Sequence, residues 1–305
     1  MPALDRPSAF TSETARDTFL SVYDRALGEL WPVPVDARDV KTRAGVVRVY
    51  RAGPGQGDPV VLLAGAGGNA LSWYRYLEPL ARTRPVFVVD PLGEPGRSTQ
   101  TQPIATGAQV GDWLTDVLTA LDVQRAQLVG SSFGGWTALE QQLGGGGHVG
   151  ALTLVDPAGF ARPTRRFYRW IIFSGLAGLL PRGLRHRAAD RLVNGTLRDD
   201  VLMKLVLAGR HFRRRLPYPP GYTDEQLRAA SVPVQVLLGE RSALHDAQAV
   251  AARLAEAVPA WRVEIVPGTG HALQLEAPEL VINRILRLTS PGQSTATEPP
   301  AASQP

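Results

Sequence analysis

Short apolar runs and longer amphipathic stretches alternate along most of the chain. Residues 12–30 carry apolar side chains three or four positions apart, which predicts a helix. Short apolar runs follow, with helical patterns between most of them, and they predict strands at residues 46–50, 60–63, 86–89, 128–129, 152–155, 234–238 and 263–266. This alternation is typical of an α/β fold, in which a mostly parallel sheet has helices on both faces.

The alternation breaks between residues 159 and 230, where helical patterns follow one another without strands. We interpret residues 159–230 as a helical lid, inserted into a core formed by residues 36–158 and 231–289. Residues 1–35 are predicted to form an N-terminal helical extension. Residues 290–305 are rich in proline, serine and threonine, which predicts a disordered tail.

The predicted lid holds the basic excess of the chain. Between Phe160 and Leu216, thirteen arginines and one lysine stand against three aspartates, a net charge of +11 in a chain whose formal net charge is +5. The pattern favours the solvated outer face of an amphipathic lid. The alternative is a lid that attracts anionic or carrier-bound acyl substrates, or that rests on an anionic membrane surface. We expect no membrane contact and, without a recognisable binding module, no nucleic acid.

The composition narrows the chemistry further. The chain has no cysteine, which excludes disulfides, thiolate catalysis and cysteine–zinc sites, and which fits a reducing compartment. The N-terminal residues lack the apolar run of a signal peptide, and the apolar stretch at residues 170–181 is too short to span a bilayer. We therefore expect a cytoplasmic protein. No metal cluster stands out in the sequence, and nothing in it implies a cofactor.

A glycine–serine motif follows the predicted strand at residues 128–129. Gly130, Ser132 and Gly134 form the pattern Gly-x-Ser-x-Gly, and residues 136–143 can continue as a helix. In a sharp strand-to-helix turn, flanking glycines avoid clashes and the serine hydroxyl stands clear of the backbone. It then lies at a helix N-terminus, where the dipole favours developing negative charge. Ser132 is therefore a candidate nucleophile, although the motif alone also suits an ordinary Gly/Ser-rich connection.

A histidine near the end of the chain is the candidate base. His271 lies in a glycine-containing loop after the predicted strand at residues 263–266. A nucleophilic serine needs a base that accepts a proton near neutral pH, and histidine is the side chain suited to this role. The other histidines lack this combination of strand, loop and position, and we predict that they are solvated surface residues: His148, His186, His211 and His245.

With these segments, residues 40–288 resemble an α/β-hydrolase-fold enzyme. Residues 60–73 match the strand and oxyanion loop of that fold, with alanine-glycine where the family often has histidine-glycine. Residues 86–98 resemble the family's next strand and its glycine-rich turn. The resemblance implies an oxyanion hole formed by the backbone N–H groups of Ala66 and Phe133.

The resemblance also implies an acid that orients His271, usually as Gly-x-x-Asp after the strand that follows the lid. Ser242 occupies that position here. Asp156, at the end of an earlier predicted strand, resembles the acid position of some lipases of the fold, and we favour it. Asp246 comes four residues late and suits the N-cap of a following helix, and Glu240 is predicted to point away. A site without any acid would leave a slow or non-hydrolytic enzyme.

A dinucleotide-binding turn is a competing interpretation of the first glycine-rich segment. Gly65-Ala-Gly-Gly-Asn-Ala70 follows a predicted strand, and Asp90 lies where a ribose-binding acid would be. However, another strand precedes this segment, the residues after it start a helix poorly, and Ser132 and His271 would have no role. We therefore rank this interpretation well behind the hydrolase.

Together the residues predict a serine hydrolase that cleaves a small-molecule carboxylic ester or thioester through an acyl-enzyme. Ser132 would be the nucleophile, His271 the base and Asp156 the acid. The alternative is a non-hydrolytic member of the same fold, either an acyl transferase or cyclase or a binding protein with a degraded triad.

Overall fold

The structure is a computed structural model that describes residues 4–145 and 147–288, so the tail predicted at residues 290–305 lies outside the described residues. The strands are β1 (Ala9–Phe10), β2 (Asp36–Thr42), β3 (Gly45–Ala52), β4 (Val60–Leu63), β5 (Val86–Val89), β6 (Thr99–Gln100), β7 (Ala126–Ser131), β8 (Val149–Val155), β9 (Phe212–Arg213), β10 (Val234–Gly239) and β11 (Arg262–Val266). The helices are α1 (Glu13–Leu30), α2 (Tyr74–Ala81), α3 (Gly107–Ala120), α4 (Phe133–Leu143), α5 (Arg165–Gly178), α6 (Arg182–Leu192), α7 (Asp200–Ala208), α8 (Asp224–Arg228), α9 (Ala247–Ala257), α10 (Leu273–Glu276) and α11 (Pro278–Arg287).

The central sheet has the strand order β11-β10-β8-β7-β4-β5-β3-β2, with β6 paired to β3. The pairs from β11 to β5 are parallel, and β3 pairs antiparallel with β5, β2 and β6. Alternate residues of β4 enter two different apolar clusters, because successive side chains of a strand point to opposite faces. Helices α3, α4 and α9 contribute to one cluster, and α1, α2 and α11 contribute to the other. The predicted α/β fold, with a mostly parallel sheet and helices on both faces, is confirmed.

The N-terminal helix has the limits that its sequence pattern predicts. Ser12 is its N-cap, and the hydroxyl of this serine accepts a hydrogen bond of 3.1 Å from the backbone N–H of Ala15. The side chains that the helix buries, Phe19, Tyr23 and Ala26, are spaced to share one face. The hydroxyl of Tyr23 reaches Asp90 at the end of β5, at 2.9 Å, so this helix is fixed to the core beside the carboxyl ends of the strands.

Four short or polar strands, β1, β2, β6 and β9, were not expected from the sequence. β2 reads Asp-Ala-Arg-Asp-Val-Lys-Thr and buries only Val40, because it lies at the edge of the sheet and pairs with β3 alone. β6 adds two residues beside β3. β1 pairs with β9 and so joins the start of the chain to the end of the inserted segment. Such strands carry no apolar run, so a search for apolar runs does not detect them.

The segment between β8 and β10 is largely helical, as predicted, and its helices α5 and α6 pack against each other. A small apolar cluster holds these helices together, formed by Ala177, Ala189, Leu197 and Met203. Helix α7 packs on α1, which connects the segment to the core. Among the described residues, no helix combines the length and the hydropathy needed to cross a bilayer. The division of the chain into core and lid stays a prediction.

Candidate active site

Ser132 lies in the sharp turn between β7 and α4. Its φ is 49°, in the left-handed region that residues other than glycine rarely adopt. A Cβ on Gly130 would lie 2.2 Å from the carbonyl oxygen of Gly134, and a Cβ on Gly134 would lie 2.2 Å from that of Leu63. Both positions therefore require glycine, which is the physical reason for the spacing of the motif around this serine.

His271 lies within hydrogen-bond distance of Ser132. Its Nε2 is 3.0 Å from Oγ of the serine. The loop that carries the histidine runs from the end of β11 to α10 and packs tightly, since a Cβ on Gly270 would lie 2.4 Å from the carbonyl oxygen of Val193. The carboxylate of Glu276 accepts hydrogen bonds from the backbone N–H groups of Gly270 and Gly195, which fixes this loop further.

Asp156 completes the row of side chains. Its Oδ2 lies 2.6 Å from Nδ1 of His271, and its side chain is fully buried. The residue follows β8 directly and has a φ of 43°, so the backbone is strained here as it is at Ser132. Its Oδ1 accepts a hydrogen bond of 2.9 Å from the backbone N–H of Gly239, at the end of β10. Three residues that the sequence predicted separately therefore meet at the carboxyl ends of the strands.

The environment of Asp156 favours the ionised carboxylate. Burial alone raises the pKa of this carboxyl, but the nearby ring of His245 and the hydrogen-bonded ring of His271 lower it more, and the net pKa lies well below the usual carboxyl range. The bond to Nδ1 requires that nitrogen to carry the proton, which leaves Nε2 of His271 free to accept one from the hydroxyl of Ser132.

The other acid candidates have different partners. The side chain of Asp246 accepts hydrogen bonds from the backbone N–H groups of Gln248 and Ala249 and is the N-cap of α9, as the alternative interpretation held. The carboxylate of Glu240 accepts a hydrogen bond from the backbone N–H of Gly268 at the surface. Neither side chain contacts the histidine that faces Ser132.

Ser242 stands where the family resemblance would place the acid, and it contacts the acid that is present. Its hydroxyl donates a hydrogen bond of 2.6 Å to Oδ2 of Asp156. The same hydroxyl oxygen accepts a bond of 3.2 Å from the backbone N–H of Leu244. Position 242 thus carries a hydroxyl that orients a carboxylate from the neighbouring strand.

The prediction that His245 is a solvated surface residue is wrong. This side chain is almost fully buried, and its Nε2 lies 3.3 Å from Oδ1 of Asp156, off the line of a good hydrogen bond. Within the described parts of the chain, its Nδ1 is buried without a hydrogen-bond partner. The loop after β10 folds back beneath the site and brings His245 against Asp156. No motif in the sequence around His245 predicts this contact.

The remaining histidines lie away from these groups. His148 is half-buried, with Nδ1 2.6 Å from the carbonyl oxygen of Val123 and Nε2 3.1 Å from Oγ1 of Thr119, so it is not simply solvated. His186 is half-buried beside Asp200. His211 is exposed, as predicted.

The predicted oxyanion donors flank Ser132. Residues 65–68, which we call the 65–68 loop, follow β4 and pass close to the serine, because a Cβ on Gly65 would lie 3.1 Å from the serine Cβ. Ala66 belongs to this loop. Phe133 is the first residue of α4, and the first amides of a helix have no acceptor within it. Both residues therefore belong to segments next to Ser132. Their role as oxyanion donors stays a prediction.

A buried ion pair that the sequence did not suggest fixes the 65–68 loop. Glu94 accepts a hydrogen bond of 2.8 Å from the backbone N–H of Gly67 and one of 2.6 Å from Nε of Arg214. The guanidinium carbon of Arg214 lies 4.3 Å from the ring centroid of Phe133. Burial raises the pKa of Glu94, while Arg214 and the Gly67 N–H offset part of that rise. Through these contacts, the pair links the 65–68 loop, which holds Ala66, to the start of α4, which holds Phe133.

Asp90 does not suit the dinucleotide interpretation. Its side chain is fully buried and accepts hydrogen bonds from the backbone N–H groups of Ala70 and Arg97 and from the hydroxyl of Tyr23. A ribose-binding acid must present its carboxylate to a ligand. Here the carboxylate connects three parts of the fold instead.

An aromatic pair and a small cavity lie beside the candidate site. The rings of Phe167 and Trp170, both on α5, stand edge-on to the His271 ring with centroids 5.4 and 5.7 Å away. A cavity of about 130 Å³ borders the 65–68 loop, with Leu202 and Leu205 in its wall. A larger cleft of about 680 Å³ lies beyond α10 and does not include Ser132 in its lining. In residues 4–145 and 147–288, no group of histidine, aspartate or glutamate side chains could hold a metal ion.

The chain can be compared with known proteins. Residues 60–284 match the model of the alpha/beta hydrolase family. The chain belongs to the α/β-hydrolase family. Within this family, it is 28% identical over 282 residues to carboxylesterase YbfK of Bacillus subtilis (strain 168), a match that covers 88% of this chain and 92% of the relative.

Two further comparisons agree with this α/β-hydrolase assignment. The chain is 27% identical to the uncharacterized carboxylesterase nap of Bacillus subtilis (strain 168), over 88% of this chain and 91% of that one. The crystal structure of naproxen esterase (carboxylesterase NP) from Bacillus subtilis is similar to it, with a TM-score of 0.79 at 26% sequence identity. That match covers 92% of this chain and 99% of the other.

Proposed function

We propose that the protein is a serine carboxylesterase with Ser132 as nucleophile. His271 would act first as general base and then as general acid, and the carboxylate of Asp156 would orient the histidine. Family membership and the carboxylesterase relatives make the chain an ester-cleaving hydrolase. One observation supports the finer assignment: Oγ of Ser132, the two ring nitrogens of His271 and Oδ2 of Asp156 form a continuous row, with contacts of 3.0 and 2.6 Å.

The proposed reaction proceeds in two halves. Oγ of Ser132 attacks the ester carbonyl while Nε2 of His271 takes its proton, and the N–H groups of Ala66 and Phe133 stabilise the oxyanion. The imidazolium then returns the proton to the alcohol that leaves, and an acyl-enzyme remains. Water attacks this acyl-enzyme, again with Nε2 as base, and the carboxylic acid and free serine are released. Asp156 holds Nδ1–H throughout and stabilises the imidazolium.

Apolar groups beside the site support a small ester of hydrophobic acyl or alcohol parts as substrate. Phe167 and Trp170 from α5 cover one side of His271, and Leu202 and Leu205 from α7 line the cavity next to the 65–68 loop. The helices of residues 159–230 would thus act as the lid that limits water and sets which esters fit. The binding-protein alternative depended on a degraded triad, and a carboxylate 2.6 Å from His271 argues against it. An acyl transferase or cyclase would use the same three side chains, and the carboxylesterase relatives favour the hydrolase over it.

A fluorophosphonate probe tests the proposed nucleophile directly. We expect one covalent adduct, found by intact mass and located by peptide mapping on Ser132, because only an activated serine reacts with such a probe. The His271→Ala variant should label very slowly, since it keeps the hydroxyl but lacks the base. An adduct on a different serine, or no adduct on a protein that is folded by circular dichroism, would contradict the proposal.

The hydroxyl of Ser242 should contribute through Asp156. Ser242→Ala removes a bond of 2.6 Å to the carboxylate, and a hydrogen bond to a charged group is worth about 1.5–3 kcal/mol. We expect kcat for a soluble ester to fall about tenfold, with KM little changed, because the substrate does not contact this residue. Ser231→Ala, which removes an exposed hydroxyl bonded to Gln142, is the matched control. Equal kcat values for the two variants would show that Ser242 has no part in positioning the acid.

A further inference from the structure

Helix α5 exposes a continuous apolar stripe on the side away from the core. The stripe consists of Tyr168, Ile171, Ile172, Phe173 and Leu176, and continues at Leu179 just after the helix, with 46–71% of each residue exposed. Most of these positions are three or four residues apart, so they share one face of the helix. Single exposed apolar residues are ordinary on a protein surface, but a contiguous stripe of six is typical of a surface that binds a protein or a membrane.

The opposite face of the same helix is already occupied. Phe167 and Trp170 contact the His271 ring, and Ala177 is buried in the small cluster with α6. The helix therefore has two apolar faces, of which only the inner one has a partner among the described residues. Burial in the core accounts for the inner face and leaves the outer face unexplained.

A cationic cavity lies beside the stripe. It measures about 180 Å³, and Arg166, Arg169, Arg191 and Arg241 lie in its wall together with Phe173. None of these four guanidinium groups is within ion-pair distance of a carboxylate in the described residues. Phe173 belongs to both features, so the cavity and the stripe form one continuous surface.

We propose that this surface docks on an anionic phospholipid membrane. The apolar stripe of α5 would enter the boundary between headgroups and acyl chains, and the arginines of the cavity would bind headgroup phosphates. Contact of this kind needs no membrane-spanning helix, because the helix lies in the plane of the interface. The sequence favoured a solvated outer face, and the exposure of six large apolar side chains changes that expectation.

Charge favours this occupant over a second copy of the chain. A symmetric pair formed through α5 would place the arginine cavities of the two copies near each other, and like charges in an interface oppose association. An anionic lipid surface instead supplies phosphate groups to the arginines and an apolar layer to the stripe. Phe167 and Trp170, which contact His271, lie on the inner face of the same helix. Docking of the outer face would therefore bring the lipid surface to ~10 Å, one helix diameter, from these two side chains.

Vesicle sedimentation tests the proposal with the full-length protein. We expect binding to vesicles of equal parts phosphatidylcholine and phosphatidylglycerol, weaker binding to phosphatidylcholine alone, and weaker binding in high salt. Ile172→Glu and Leu176→Glu should each lower the partition coefficient about tenfold or more, because a charge replaces an apolar side chain that would enter the membrane. Arg169→Gln should lower it about fivefold, the typical effect of one basic residue near an anionic surface.

The matched control lies on the other side of the molecule. Leu286 is an exposed apolar residue of α11, and its neighbour Ile285 accepts a hydrogen bond from Gln127 at the amino end of β7, opposite the site. Leu286→Glu should bind vesicles like the unmodified protein. Labelling of each variant in solution by the fluorophosphonate probe shows separately whether the candidate site is intact, so failure of docking and failure of the proposed function can be distinguished.

Three results would overturn the proposal. One is the absence of binding to the anionic vesicles by the unmodified protein. Another is equal binding by Ile172→Glu and Leu286→Glu, which would exclude the stripe as the contact. The third is a concentration-dependent dimer in analytical ultracentrifugation that Leu176→Glu abolishes, together with no vesicle binding, which would assign the surface to a second copy.

Discussion

Ser132→Ala should lower kcat/KM for a soluble carboxylic ester by about 10⁶-fold, close to 8 kcal/mol of transition-state stabilisation. The variant keeps His271, Asp156 and the proposed oxyanion donors, but no atom remains that can form the acyl-enzyme. Serine and alanine meet the same steric limit at a φ of 49°. The free energy of unfolding should therefore change by no more than about 1 kcal/mol, so that the loss of activity is not a loss of fold.

The neighbouring serine offers a matched control. Ser131 is the last residue of β7 and is also buried. Ser131→Ala should keep most of the activity, because its hydroxyl makes no contact with the base. Steady-state kinetics and thermal unfolding of the two variants test this pair of expectations. Retention of more than about 1% of the activity by Ser132→Ala would mean that another group is the nucleophile.

Local motifs explain why part of the site was predictable from the sequence. Gly130 and Gly134 can be replaced by no other residue without a clash, so the backbone geometry around Ser132 leaves a fixed spacing in the sequence. A strand followed by a glycine loop similarly singled out His271, whereas the acid was less clear: the family resemblance favoured Asp156 at the end of a predicted strand, with Asp246 and Glu240 as alternatives. Ser132 and Asp156 come directly after β7 and β8, and His271 lies in the loop after β11.

The supporting residues left no such signal. Ser242 and His245 reach Asp156 because the loop after β10 folds back against β8, and this approach depends on tertiary structure. Glu94 and Arg214 are separated by 120 residues and meet only when the end of the inserted segment returns to the core. Long-range contacts of this kind do not follow from periodicity or spacing. The sequence therefore predicts the reacting groups better than the groups that hold them.

The strands, too, differ in how well the sequence predicts them. Buried strands of the parallel sheet are short apolar runs, so their number and order along the chain could be read from the sequence. β2 is an edge strand with one buried side chain, and β1 pairs with β9 through two residues only. Such strands form because a partner strand is in reach, and their own sequences are polar or very short.

Asp156→Asn should lower kcat for the same ester by about 10⁴-fold. The amide keeps the size of the side chain, but it can present an N–H group to Nδ1 and so favour the wrong tautomer of His271, and it cannot stabilise the imidazolium. The pKa of Asp156 lies well below the usual carboxyl range, so the carboxylate stays ionised throughout an ordinary assay. The two proteins should therefore differ at every pH at which activity is measured.

Asp246→Asn is the control that separates the two acid candidates. Asparagine is as good an N-cap as aspartate, so α9 keeps the cap that Asp246 provides. We expect kcat within about twofold of the unmodified protein, since a surface change of this kind has little energetic effect. A large loss with Asp246→Asn and a small one with Asp156→Asn would transfer the acid to the loop after β10.

Placing a carboxylate at position 242 tests whether the acid acts only through its charge beside His271. The Ser242 hydroxyl and Nδ1 of His271 contact the same oxygen of Asp156, so position 242 lies within two hydrogen-bond lengths of the ring. Ser242→Asp added to Asp156→Asn should recover about tenfold or more of the lost kcat, because a carboxylate again faces Nδ1. Ser242→Asp alone should impair the enzyme, since two carboxylates would then share one buried site. A folded double variant without any recovery would mean that the carboxylate must project from position 156, and that a charge near His271 is not sufficient.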